Sequence, residues 1–233
     1  MPDTGWAGFV EHANDPRAYA ALARLAALHN LRLNTIVSRQ LGDVLEIWGA
    51  INRETPLRGR RWLLVHLSRA RAPDLERIRR LGAVVTTNPI SYLYRSGAEV
   101  LDASGQGGDW LPHRDLLRAR IPFALATDNK PPDPFLALWS VVAREDRSRA
   151  VIGPSQRLTP LQALGALTRG GAYVIGRERE LGSLTPGKLA DLAVLSDDPL
   201  AVPLSELRRL RVRLTMVGGR PVHQDDPPKG AEP

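Results

Sequence analysis

Ile121-Pro122-Phe123-Ala124-Leu125-Ala126-Thr127-Asp128-Asn129 is the stretch on which the reading of this chain turns. It is a short apolar run that ends abruptly in a carboxylate. A run of this length, bounded by polar residues, reads as a strand buried on both faces of a parallel sheet. Arg120 precedes it, and Asn129-Lys130-Pro131-Pro132 stops it, because a proline pair cannot continue a hydrogen-bonded ladder. Asp128 is therefore expected at or just past the C-terminal end of a buried strand. In α/β barrels that end carries the chemistry. The alternative is a loop-entry Asp that only caps the next helix, and position alone leaves both open.

Upstream of this stretch, helix and strand signals alternate. Asn14-Asp15-Pro16 supplies a cap and a first-turn proline for a helix, and Asn30 suits its end. Leu31–Val37 reads as a strand. Residues 38–52 return to helical period with Leu41, Val44, Leu45, Trp48 and Ile51 on one face. Trp62–Leu67 is a second apolar strand carrying His66 near its end, and Pro73–Leu81 is a short helix stopped by Gly82. Ala83–Thr87 is a third strand, closed by Asn88-Pro89. Residues 90–112, with Gly97, Gly105, Gly107 and Gly108, read as a long irregular segment of the kind that is usually functional or mobile. Tyr92, Tyr94 and Trp110 would either line a cleft beside it or pack it down. A short helix near 113–119 leads back to the strand of Asp128. Four alternations of this kind predict βα units on a parallel sheet.

Downstream, Asp133-Pro134 and Thr159-Pro160 each start a helix, and Gly170-Gly171 is expected to break the second. The tail changes character. Pro186-Gly187 suits the centre of a type II turn, Leu192–Leu195 is an apolar strand, and Leu204–Leu207 suits one helical turn. Val212, Leu214 and Met216 alternate along a half-buried strand, which Gly218-Gly219 turns back through Arg220–His223. Residues 224–233 are polar and proline-rich, as disordered ends are.

Composition narrows the class. Of 233 residues, 43% are hydrophobic, enough for a sizeable core, and there is no cysteine to form a disulfide or ligate a metal. With no apolar run of membrane-spanning length and no leader pattern at the N-terminus, a cytoplasmic protein without a membrane partner is expected. The formal charge of +7 is carried by arginines, since Lys130, Lys188 and Lys229 are the only lysines. These arginines are scattered among Ala and Leu on helices rather than interleaved with aromatics. They read as solvated faces, not a nucleic-acid surface.

The tail carries a family resemblance. Leu181-Gly182-Ser183-Leu184 with Pro186-Gly187-Lys188-Leu189-Ala190-Asp191-Leu192, and Thr215-Met216-Val217-Gly218-Gly219-Arg220-Pro221-Val222, resemble the return to the β-sandwich and the last hairpin of amidohydrolases. Residues 159–168 resemble the helix before them. The match is to the C-terminal portion of the amidohydrolase-3 branch, the N-acyl and formamide hydrolases. It implies an α/β chain forming about the second half of a (β/α)8 barrel over residues 1–180, with sandwich strands over 181–223. It also implies metal-dependent hydrolysis of a non-peptide C–N bond in a small-molecule substrate. In that family a metal-activated water attacks, and a strand-end Asp takes its proton.

By the resemblance, Asp128 matches the catalytic, metal-binding Asp of the eighth strand, and His66 the metal-binding His of the sixth. The fifth-strand His falls on Asn34, and the Gly and Asp that follow it in this branch fall on Val37 and Ser38. No His-x-His of the first strand occurs anywhere in the chain, and residues 1–30 are too few to supply the missing strands. A catalytic zinc wants three protein ligands, and Asn34 is a weak neutral donor better suited to hard cations. Asn34, Asn88 and His113 remain candidates for the mouth. Either a divalent metal such as zinc is held jointly with another chain or a second copy that completes the barrel, or the chain is a degenerate or truncated, non-catalytic relative that holds none.

Overall fold

The computed structural model describes residues 4–5, 15–37, 40–104, 108–128 and 132–225. Five parallel strands lie side by side in chain order: β1 (Thr4–Gly5), β2 (Arg32–Ile36), β3 (Leu63–Val65), β4 (Val84–Thr87) and β5 (Phe123–Leu125). Between them run α1 (Pro16–Leu28), α2 (Leu41–Glu54), α3 (Ala72–Leu81), α4 (Gly97–Ser104) and α5 (His113–Arg118). The two-residue β1, which pairs Thr4 with Arg32, was not foreseen; the segments flanking it lie outside the described residues.

Local chemistry sets these elements. Asp15 caps α1 by accepting from the Arg17 amide, with Pro16 in the first turn. Leu41, Val44, Leu45, Trp48 and Ile51 are all buried, so the expected face of α2 is the one that packs. The indole N–H of Trp48 donates to Tyr19 Oη at 2.8 Å, and Tyr19 Oη lies 2.7 Å from Thr35 Oγ1. That chain of bonds satisfies three polar groups between α1, α2 and β2. Gly82 closes α3 at φ 65°, a left-handed conformation that costs glycine little.

Alternation along the strands sorts the two faces of the sheet. Leu33, Leu64, Val85, Phe123 and Leu125 join the helix-side core with Trp48, Trp62 and Ile78. Leu63, Val84 and Ala124 face the other way and are covered by Val174 with Val65 and Tyr173. Asn34 pairs in register with Leu63, so it belongs to this second face.

Two glycine-containing regions depart from the expectation. Residues 90–104 are largely helical, as a π-helical stretch Ile90–Arg95 followed by α4. Gly97 is there for closeness: a Cβ on it would sit 2.8 Å from Ile152 Cγ1 and 2.9 Å from Asp146 Cβ. After α6 (Pro134–Ala143), the helix α7 (Pro160–Gly165) does not break at Gly170-Gly171. It continues through a π-helical turn, Ala166–Gly170, into α8 (Gly171–Val174). A Cβ on Gly170 would lie 2.3 Å from the Phe123 carbonyl oxygen, so glycine lets this helix press against β5.

The tail forms a three-stranded antiparallel sheet of β6 (Leu192–Leu195), β7 (Val212–Val217) and β8 (Arg220–Gln224). Gly218 and Gly219, at φ 57° and 79°, supply the two left-handed residues of a tight hairpin. Leu207 and Leu210 dock this sheet's connection into the main core. Lys188 donates to the carbonyls of Glu178 and Leu181 at 2.7 and 2.9 Å, a structural use of its charge. Gln224, at the start of the expected disordered end, belongs to β8, and residues 226–233 lie outside the described residues. No helix among the described residues is long and apolar enough to cross a membrane.

Candidate functional site

Parallel strands in one sheet deliver their C-terminal ends to a common rim. His66 follows β3 directly, Asn88 follows β4 directly, and Asp128 stands three residues beyond Leu125 of β5. His66 and Asp128 adopt φ of 61° and 57°, left-handed backbone just past β3 and β5. One strand separates theirs, so at usual strand spacing the two backbones lie roughly 10 Å apart.

Asn88 is the buried member of this rim at 1% exposure. Its Oδ1 accepts from the Ser91 amide at 3.1 Å, which fixes the amide plane, and its Nδ2 donates to Asp128 Oδ2 at 3.5 Å. Asp128 itself is exposed and His66 half-buried. The His66 ring meets Tyr92 edge to face at 6.0 Å, and Tyr92 meets Trp110 at 6.2 Å. The Trp110 indole N–H donates to the Tyr92 carbonyl at 2.6 Å. Tyr92 and Trp110 therefore form the wall beside His66, while Tyr94 packs away from it on Trp139. Sequence alone left the roles of the three aromatics undivided. The spacing of Tyr92, four residues past the strand-end Asn88, was the available signal.

Asn34 lies within β2, at 8% exposure, and its Oδ1 has no hydrogen-bond partner among the described residues. His113 is placed elsewhere than at the mouth. It is fully buried on the helix side of the sheet, with Nε2 2.9 Å from Thr87 Oγ1 and its ring against Phe123. Burial, with the Arg144 cation second, holds its imidazole well below the usual range, so it stays neutral. Its position just after a glycine-rich segment suggested access that packing removes.

Among the described residues the donor set falls short of a metal centre. Among the described residues no three His, Cys, Asp or Glu side chains come together to hold an ion. His66, Asp128 and the neutral oxygen of Asn34 do not make the three-ligand site a catalytic zinc requires.

A model of the amidohydrolase family matches residues 4–223. The chain belongs to the amidohydrolase family. It is 32% identical over 200 residues to the N-substituted formamide deformylase of Arthrobacter pascens, a match covering 82% of this chain and 36% of that protein. Its fold is similar to that of an uncharacterized metal-dependent hydrolase from Pyrococcus horikoshii, with TM-score 0.67 and 20% identity, covering 83% of this chain and 39% of that one. It is also similar to a zinc-bound adenosine deaminase from Xanthomonas campestris, with TM-score 0.61 and 20% identity, covering 90% of this chain and 49% of that one. The chain thus spans between about a third and a half of the length of these proteins.

Proposed function

We propose that this chain is the C-terminal, acid–base half of an amidohydrolase that cleaves a non-peptide C–N bond in a small molecule, such as an amide or formamide or the bond broken in a deamination. The observation that carries the reading is the Asn88–Asp128 bond at the rim that His66 also lines. A buried amide donating to the carboxylate orients Asp128 at the rim, where a carboxylate can accept a proton from an attacking water and return it to the leaving nitrogen. Asp128 is the catalytic group, and His66 and Asp128 are this chain's contribution to a divalent metal. Asn34 and Asn88 face the mouth. His113, walled into the core, has no part in it. The sheet is read as half of a (β/α)8 barrel and the tail as part of its sandwich. The remaining metal ligands then come from a partner chain or a second copy. The lack of cysteine suits a cytoplasmic enzyme.

The test is hydrolysis of N-substituted formamides and related amides by the metal-supplemented chain joined to a His-x-His-bearing amidohydrolase half. Asp128→Asn should cost roughly 10²–10⁴-fold in kcat, the usual range for losing a general acid–base. Turnover that survives this substitution overturns the assignment. A second reading, a non-catalytic relative, is favoured by Asn34, a neutral amide where the resemblance places a histidine ligand. Elemental analysis of the joined protein that finds no bound metal, with no turnover, would establish it instead.

A further inference from the structure

The opposite rim of the same sheet holds a cavity of about 530 Å³. Residues leading into β3, β4 and β5 build it, with Tyr173 of α8 at one side. Four arginines line it, Arg58, Arg61, Arg79 and Arg120, and no carboxylate does. Two of the four are already engaged. Arg61 forms a two-pronged pair with Glu178 at 2.6 and 3.0 Å, and Arg79 a like pair with Glu76 at 2.8 and 3.0 Å. Among the described residues Arg58 and Arg120 form no ion pair and no side-chain hydrogen bond. The stem of Arg58 is held across Gly82, where a Cβ would come within 3.2 Å of Arg58 Cγ. The Arg61 guanidinium lies 3.9 Å from the centre of the Tyr173 ring, giving the cavity an aromatic side.

We propose that this cavity binds a small anion bearing linked phosphates, a second site separate from the rim of Asp128. Its volume suits a small molecule, commonly about 300–1,000 Å³. Guanidinium forks match phosphate oxygens two at a time, and two exposed, unpaired arginines lining one cavity favour an anion with more than one phosphate over a single carboxylate. The concave shape and the single aromatic ring select a compact ligand. The reading is independent of the hydrolase assignment, because none of these residues belongs to that rim.

The experiment is isothermal titration of the full chain with inorganic pyrophosphate, and separately with a nucleoside triphosphate, at low and physiological salt. Saturable one-to-one binding that weakens with salt is expected. Joint Arg58→Gln and Arg120→Gln substitution should weaken it roughly tenfold or more, as losing charge-assisted hydrogen bonds does. Removing the same charge by Arg211→Gln and Arg220→Gln on the small sheet should change it by less than about twofold, since screened distant charges contribute little. Equal affinity for both ligands assigns recognition to the phosphates alone. Tighter nucleotide binding that Tyr173→Leu reduces to the pyrophosphate level assigns an organic phosphate. Absence of saturable binding at low salt overturns the proposal, as does an equal loss in the small-sheet control. Circular dichroism melts of both double variants check that each remains folded, and Arg120→Lys, which keeps the charge and loses the fork, should bind more weakly, whereas undiminished binding overturns the guanidinium assignment.

Discussion

Acidification from about pH 7 to about pH 5 should destabilise the fold through one buried imidazole. His113 is fully buried, and desolvation first and Arg144 second keep it from taking a proton. Arg144 cannot move aside, because its guanidinium donates to the carbonyls of Ile152, Leu111 and Trp110 at 2.7, 3.0 and 2.8 Å. In the unfolded chain the same imidazole titrates near its ordinary 6.5. Below that value the unfolded state binds one proton that the folded state refuses, so stability falls by about 1.4 kcal/mol for each pH unit. Over roughly 1.5 units this amounts to at most about 2 kcal/mol, while above the ordinary value both states are neutral and no slope arises. Urea denaturation at closely spaced pH values, on the wild-type chain and on His113→Asn, measures it. The other histidines are common to both proteins and cancel in the difference. Parallel profiles for the two proteins below the ordinary histidine range would refute the argument.

Neighbouring glycines should respond in opposite directions in thermal melts. Gly170→Ala drives a methyl into the Phe123 carbonyl and should cost about 1–3 kcal/mol or more, whereas Gly171, with nothing within 4 Å of its added Cβ, should gain about 0.5–1 kcal/mol as alanine. Asn88→Ala leaves the Ser91 amide without its acceptor and should cost about 1–3 kcal/mol by chemical denaturation. Asn88→Asp should be worse at neutral pH than in acid, because it sets a second carboxylate against Asp128. Glu178 is held down to about 2, chiefly by its bond to Arg61, so the pair stabilises the fold above the ordinary Glu value of 4.5 and is lost as pH falls from there toward 2. Arg61→Ala should remove that acid-range slope, worth about 1 kcal/mol for a partly exposed pair, in pH-resolved melts.

Local signals carried the sequence far where structure is set locally. The buried face of α2, the Asp15 and Asp133 caps, the Gly82 stop and the strand-end placement of His66 and Asp128 all follow from period and turn chemistry. Where a glycine serves a distant neighbour, the same signals misled. Gly97 read as part of an irregular segment and Gly170 as a helix breaker, yet each sits in a helix and makes room for residues far along the chain, Ile152 and Phe123. His113 shows the corresponding limit for a site. Nothing in its local sequence says which face of the sheet it will meet, and only the packing of Thr87 and Phe123 around it decides. The Asn88–Asp128 bond spans 40 residues and depends on β4 and β5 being neighbours, which alternation predicts without giving the contact.

The buried Arg144, whose guanidinium desolvation pulls down to about 9, has a consequence for how the protein breathes. One cation clasps the Trp110 and Leu111 carbonyls on one segment and that of Ile152 on another. The Leu111 amide is bonded to Ser68, the Ile152 amide to Arg144, and Trp110 supports the ring beside His66. Amide hydrogens at these positions should therefore exchange with deuterium together, as one cooperative unit released in a single opening event. In Arg144→Met that unit would come apart, and the wall of the candidate site would exchange on its own clock.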